Sequence, residues 1–282
     1  MARGCVITGA GRGLGRALAV HVAGAGYEVA MCSRTTAELD DAVGEIERAG
    51  GRATAHTVDV SDPSAVDAFA TRVADQHAPV WAVVNNAAVL GPVGAIDAVD
   101  VESWMQALAI DVGGVVAVTR AFVPQMRRHG GGRVVNLSGA GIGGPAPQPR
   151  VGAYTASKAA VDVLTEVLAP DLNGDGITVN AVAPGPVPTT FLDGVLRAGP
   201  EVAGQELYES ARRNHETAEC SDSLFALVDF LLEDGSSWLT GKLLSARWDR
   251  VDDLLARRDQ LVATSLLTLR RIDDALFTEM DP

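Results

Sequence analysis

Thr8-Gly9-Ala10-Gly11-Arg12-Gly13-Leu14-Gly15 is the stretch that decides the fold. An apolar run, Gly4–Thr8, leads into it, and Leu14, Leu18 and Val22 follow at the four-residue spacing of a buried helix face. Glycines permit a tight turn and a close backbone approach. The helix N-terminus behind them offers free N–H groups and the positive end of its dipole to a pyrophosphate. Gly9, Gly11, Arg12, Gly13, Leu14 and Gly15 are therefore expected to form a dinucleotide site. A ligand-free glycine turn is the bland alternative, and the flanking strand and helix argue against it.

Outward from this turn, apolar strand-like runs alternate with helical patterns, the mark of a parallel sheet covered on both faces. Strands are expected at Gly4–Thr8, Glu28–Ser33, 52–59, Val80–Asn85, 133–138, 177–182 and 242–247. Helices are expected over 13–26, 35–49, Pro63–Gln76 (Asp62 as N-cap), Val101–Arg128, 152–172, 221–232 and 249–269. Gly113-Gly114 and Pro124 threaten the first long helix, and Pro170 should kink or end the second. The prediction is a single doubly wound α/β domain of Rossmann type with seven parallel strands. It carries a loop at 139–150, an insert at 186–220 and a helical extension over 249–282 within the same domain.

The 282 residues suffice for a large core, and 47% are hydrophobic. A net charge of −13 argues against a nucleic-acid partner, whose phosphates would be repelled. Cys5, Cys32 and Cys220 have neither disulfide nor zinc spacing, so free thiols and no metal are expected. Met1-Ala2-Arg3-Gly4 runs straight into a strand without a signal peptide, and no apolar run reads as membrane-spanning. A cytoplasmic protein with no membrane contact is the expectation.

Chemistry enters at Tyr154-Thr155-Ala156-Ser157-Lys158. Tyr154 and Lys158 stand one helical turn apart on one face, and a nearby ammonium lowers a phenol's pKa. Lys158 and Lys242 are the only lysines in a chain that otherwise uses arginine, so lysine chemistry is implied here. Such a pair alone is a weak signal. With Thr8-Gly9-x-x-x-Gly13-x-Gly15, Asn85-Asn86-Ala87-Ala88, Asp59-Val60, Asn180 and Pro184-Gly185 before Thr189, the chain resembles the short-chain dehydrogenase/reductase family. These motifs run in order from residue 3 to about 247.

The resemblance implies an oxidoreductase in which hydride passes between nicotinamide and a carbonyl or secondary alcohol. Tyr154 would be the general acid/base, while Lys158 would bond the nicotinamide ribose and tune Tyr154. Asp59 and Val60 would meet the adenine, Asn85 and Ala87 the ribose side. Pro184, Gly185, Val187 and Thr189 would lie near the nicotinamide and phosphates. Ser33-Arg34 closes the second strand without the acid that usually holds a ribose 2′-hydroxyl, and Arg34 with Arg12 could clamp a 2′-phosphate. NADP(H) is therefore expected over NAD(H).

The pattern also departs from the family. Gly139 occupies the place of the usual substrate-binding serine, leaving Ser138 one residue early: as a catalytic candidate it can still serve if the strand ends there and turns it inward, whereas in an unbroken strand that hydroxyl would point the wrong way. Asp111 stands where the family has a water-holding asparagine. It could hold that water, or favour charged Lys158 and offset the lysine's pull on Tyr154. The last strand lacks the usual Asp-Gly-Gly ending. These changes keep a second reading open, a non-catalytic NADP(H)-binding sensor or assembly protein. A different reaction on the same scaffold is a third. Insert 186–220 would form a substrate lid. Val115, Val118, Phe122, Val161, Leu164 and Leu168 place apolar residues on more than one helix face, which predicts a homodimer or homotetramer.

Overall fold

The computed structural model describes residues 3–139, 148–185, 187, 190–217 and 220–269. Seven parallel strands form one sheet in the order β3-β2-β1-β4-β5-β6-β7. They are β1 (Gly4–Thr8), β2 (Glu28–Ser33), β3 (Arg52–Thr57), β4 (Val80–Asn85), β5 (Gly132–Leu137), β6 (Ile177–Ala183) and β7 (Leu243–Ser245). All five residues of β1 and all six of β5 are buried, as strands covered on both faces must be. The order reverses between β1 and β4. Loops leaving their C-terminal ends diverge there and open a crevice.

One face of the sheet packs on α1 (Gly13–Gly24), α2 (Thr36–Arg48) and α9 (Asp222–Leu232), with Leu18, Met31, Leu39 and Leu227 in the core. The other packs on α3 (Pro63–Gln76) and α5 (Gly114–Arg128), where Phe69 meets Phe122 edge-on with centroids 5.4 Å apart. Asp62 caps α3 by accepting from the N–H groups of Ser64 and Ala65, with Pro63 at the first position.

Several boundaries differ from expectation. The third strand stops at Thr57 because the chain turns at Asp59, which accepts from the Ser61 N–H and hydroxyl. The seventh is only three residues long. The helix over 101–128 is not broken: α4 (Val101–Leu108) passes through a π turn, Ala109–Gly113, into α5. By length and hydropathy this 28-residue segment could cross a membrane, which corrects the expectation that no run qualifies. Over half of its apolar window is buried inside the domain, as in a core helix.

Helix α6 (Gly152–Asn173) runs through Pro170, which sits in its last turn and leaves little helix to disturb. The expected helix at 249–269 is two short ones, α10 (Val251–Ala256) and α11 (Arg258–Ala263). They divide at Arg257, with φ −105° and ψ 16°, and Leu254 and Leu261 bury into the same core as α1. Insert residues form α7 (Thr190–Ala203) and α8 (Gln205–Thr217), closed by their own cluster of Leu192, Val195, Leu207 and Ala211. Cys5 and Cys32 are buried free thiols and Cys220 is a half-buried one.

Candidate active site

A cleft of about 750 Å³ opens over the β1/β4 reversal. Its floor is the glycine turn. Gly9 has φ 65°, and a Cβ on Gly15 would stand 2.3 Å from the Gly9 carbonyl oxygen, so neither position accepts a side chain. Asn86 braces the turn, its amide donating to the carbonyls of Thr8 (2.9 Å) and Gly9 (3.2 Å). Arg12 is the N-cap of α1 but makes no side-chain cap bond, so the first N–H groups of that helix face the cleft uncapped. A bare backbone cradle at a helix N-terminus fits a dinucleotide pyrophosphate.

Ser33, Arg34, Asp59, Val60, Ala87, Pro184, Gly185 and Val187 line the same cleft, as expected. Asn85 does not. It turns into the core and donates to Thr119 Oγ1 (3.1 Å) and Asn136 Oδ1 (2.8 Å), because the last residue of β4 alternates inward. Thr189 lies outside the described residues. Glu38 was not anticipated. From the first turn of α2 it faces Gly11 and Ser33 and pairs with Arg12 at 3.1 Å. The end of the second strand thus does have a carboxylate beside it, supplied one helical turn later. Arg247 and Trp248, stacked 4.6 Å apart after β7, also reach the cleft wall, as do Asp193 and His215 of the insert.

Tyr154, Lys158 and Asp162 follow one another at four-residue steps on α6. The Tyr154 ring packs against Phe191 of α7, centroids 4.8 Å apart. Lys158 Nζ donates to the Leu137 carbonyl (2.7 Å) and sits 5.8 Å from the Tyr154 ring centre. Two carboxylates attend it. Asp111, fully buried in the π turn, accepts from Val89 N–H (2.8 Å) and the Ser157 hydroxyl (2.7 Å). Asp162 accepts from the Ser138 hydroxyl at 2.9 Å.

Electrostatics correct one expectation. The Tyr154 phenol is pushed up, not down, by burial and then by Asp111 and Asp162. Burial lowers the Lys158 ammonium, and the same two carboxylates oppose that. Asp111 is raised by burial against the pull of Lys158, and both of its oxygens are already engaged by protein donors. Those bonds tie it to the loop after β4 and to α6. Ser138 lines the cleft even though its proton points away, to Asp162. Its neighbour Gly139 has no room for a side chain, since a Cβ would meet the Tyr154 hydroxyl at 2.6 Å.

A doubly wound sheet with a glycine cradle and a Tyr–Lys pair in one cleft defines a nucleotide-dependent oxidoreductase scaffold. The comparisons agree: residues 4–198 match the family model described as short chain dehydrogenase, and the chain belongs to that family. It is 33% identical over 255 residues to an NADPH-dependent aldehyde reductase-like chloroplastic protein of Arabidopsis thaliana, covering 86% of this chain and 92% of the relative. Among solved structures, it resembles an actinorhodin polyketide ketoreductase with NADPH (TM-score 0.76, 28% identity, 86% of this chain and 95% of that one). NAD+-bound xylitol dehydrogenase is similar too (TM-score 0.75, 29% identity, 86% and 96%). The protein is an oxidoreductase enzyme using a nicotinamide cofactor and a small-molecule substrate.

Proposed function

We propose that this enzyme is an NADPH-dependent reductase of aldehydes or ketones, with the reverse oxidation of secondary alcohols open to it. The observation that carries the proposal is the Tyr154–Lys158 pair in the wall of the glycine cleft. The cofactor, when bound, supplies the hydride. Tyr154 delivers the proton to the substrate oxygen; its phenol keeps that proton at neutral pH, so the proton is present to be given. Lys158 is fixed beneath it by the Leu137 carbonyl, and Asp111 holds Ser157 and Val89, in the loop after β4, around it. Phe191 and the α7–α8 insert pack over the tyrosine ring as a lid.

Arg12 and Arg34 support a 2′-phosphate, as does the cofactor named for the Arabidopsis relative and the ketoreductase. Glu38 opposes it by engaging Arg12. For assembly, four of the six apolar positions first picked out, Val115, Val118, Phe122 and Val161, belong to the chain's own core, and Leu164 and Leu168 are half-buried. Exposed instead are Met105 on α4, Val116 on α5, and Val163 and Val167 on α6, the last two 50% and 53% exposed. These support a homodimer or homotetramer packed through those helices. A monomer by light scattering would contradict it. The functional test is NADPH oxidation across a panel of aldehydes and ketones. Turnover on several is expected, and none at all would refute the reading.

A further inference from the structure

Asp162 is a buried carboxylate for which the reaction above has no use. It is 2% exposed and lies one turn beyond Lys158 on α6. Its Oδ2 accepts the Ser138 proton at 2.9 Å, while Oδ1 is buried with no hydrogen-bond partner among the described residues. Ser138 itself forms part of the cleft wall. A serine hydroxyl has one proton to give. While that proton goes to Asp162, Ser138 can offer the cleft only lone pairs. Gly139 cannot substitute, because any side chain there runs into Tyr154.

We propose that Asp162 is a positioning residue that sets the direction of the Ser138 hydroxyl: ionised, it draws the proton inward; protonated, it donates to Ser138 Oγ and frees Ser138 to donate to the substrate's carbonyl oxygen. The inference rests on the carbonyl-reductase reading. The geometry favours the exchange. A proton on Oδ1 would find no acceptor, whereas a proton on Oδ2 meets Ser138 Oγ. The proton comes from solvent, and no covalent bond to carbon changes. Burial pushes the Asp162 carboxyl up to about 7, with the Ser138 bond and Lys158 opposing and Glu166 adding to the rise. The charged groups that act on it are Lys158 one turn back and Glu166 one turn on, both on α6, and Asp111 of the π turn acts with Asp162 on that lysine and on the neutral Tyr154 phenol.

The test uses the full chain with NADPH and benzaldehyde from about pH 5 to about pH 9. In the parent, kcat/KM for reduction should fall about ten-fold as pH rises through the neutral range, the size of losing one hydrogen bond to developing negative charge. Asp162→Asn presents an amide donor to Ser138 at every pH, so this limb should vanish. In a Ser138→Ala background the limb should be absent, and Asp162→Asn should change nothing more. A profile still moved by Asp162→Asn there means that Asp162 acts through Lys158 and Tyr154, which overturns the proposal. Infrared difference spectra give a readout independent of turnover. A protonated-carboxyl band should titrate near neutral pH, disappear in Asp162→Asn and shift in Ser138→Ala. A spectrum without such a band overturns the switch even if benzaldehyde is reduced. An inactive parent that shows the titrating, Ser138-sensitive band supports the switch and counts against the carbonyl-reductase reading alone.

Discussion

Gly139 lies against Tyr154: a Cβ on Gly139 would stand 2.6 Å from the phenolic oxygen and 2.8 Å from the ring. The loss of a serine at this position and the placement of the tyrosine are one arrangement. Phe191 presses on the same ring from the lid side, so the ring cannot simply swing away. Restoring the family's residue should therefore harm the enzyme. Gly139→Ser is expected to lower kcat about ten-fold or more, in line with a misplaced proton donor, while NADPH affinity stays near that of the parent. Steady-state kinetics and fluorescence titration of NADPH check this, and a Gly139→Ser variant faster than the parent would contradict it.

Cofactor choice turns on three side chains at the adenosine end. Arg34 and Arg12 favour a phosphate, and Glu38 holds Arg12 at 3.1 Å. A charge-assisted bond contributes about 1.5–3 kcal/mol, so Arg34→Ala should weaken NADPH about ten-fold or more and spare NADH. Glu38→Gln should act the other way and tighten NADPH a few-fold by releasing Arg12. The pair is largely exposed, which keeps that effect small. Equal affinity of the parent for NADPH and NADH would contradict this assignment.

Acid should weaken the fold through His56. Its imidazole is buried on β3, shares Thr54 Oγ1 with His77, and is held down to about 4 by burial, His77 and Arg72. A depressed pKa means that the unfolded chain binds the proton first. The contribution of neutral His56 is complete above about 6.5 and is lost as pH falls toward about 4, by up to about 3 kcal/mol. The melting temperature should drop between about pH 7 and about pH 4.5, and less steeply in His56→Gln. Parallel curves for the two proteins would remove His56 from the account.

Much of the fold was legible because it follows from local pattern. The glycine turn and strands β1, β2 and β4 fall where apolar runs and turn residues put them, and Asp62 caps the helix it was expected to cap. Misreadings came where tertiary contacts overrule local signals. Asn85 looked like a cofactor ligand by motif, but its place on β4 turns it into the core. Pro170 looked like a stop and is tolerated in a last turn. Helix periodicity over 249–269 was real, yet the chain bends at Arg257 to bury Leu254 and Leu261. The tyrosine's pKa went the other way because the sequence reading set Lys158 against Asp111 alone, whereas the larger effect, burial, and the second carboxylate, Asp162, arise from the fold. Asp162 was nevertheless within reach, since it repeats the four-residue step that singled out Tyr154 and Lys158.

The central claim is that Tyr154 moves the substrate proton, and one comparison tests it most directly. Turnover of an aldehyde with NADPH is measured for the parent and for Tyr154→Phe, alongside NADPH binding to both. The hydroxyl acts on substrate rather than cofactor, so turnover should fall by roughly 10²–10⁴-fold while NADPH affinity changes little. Unchanged turnover in a Tyr154→Phe protein that still binds NADPH would contradict the account.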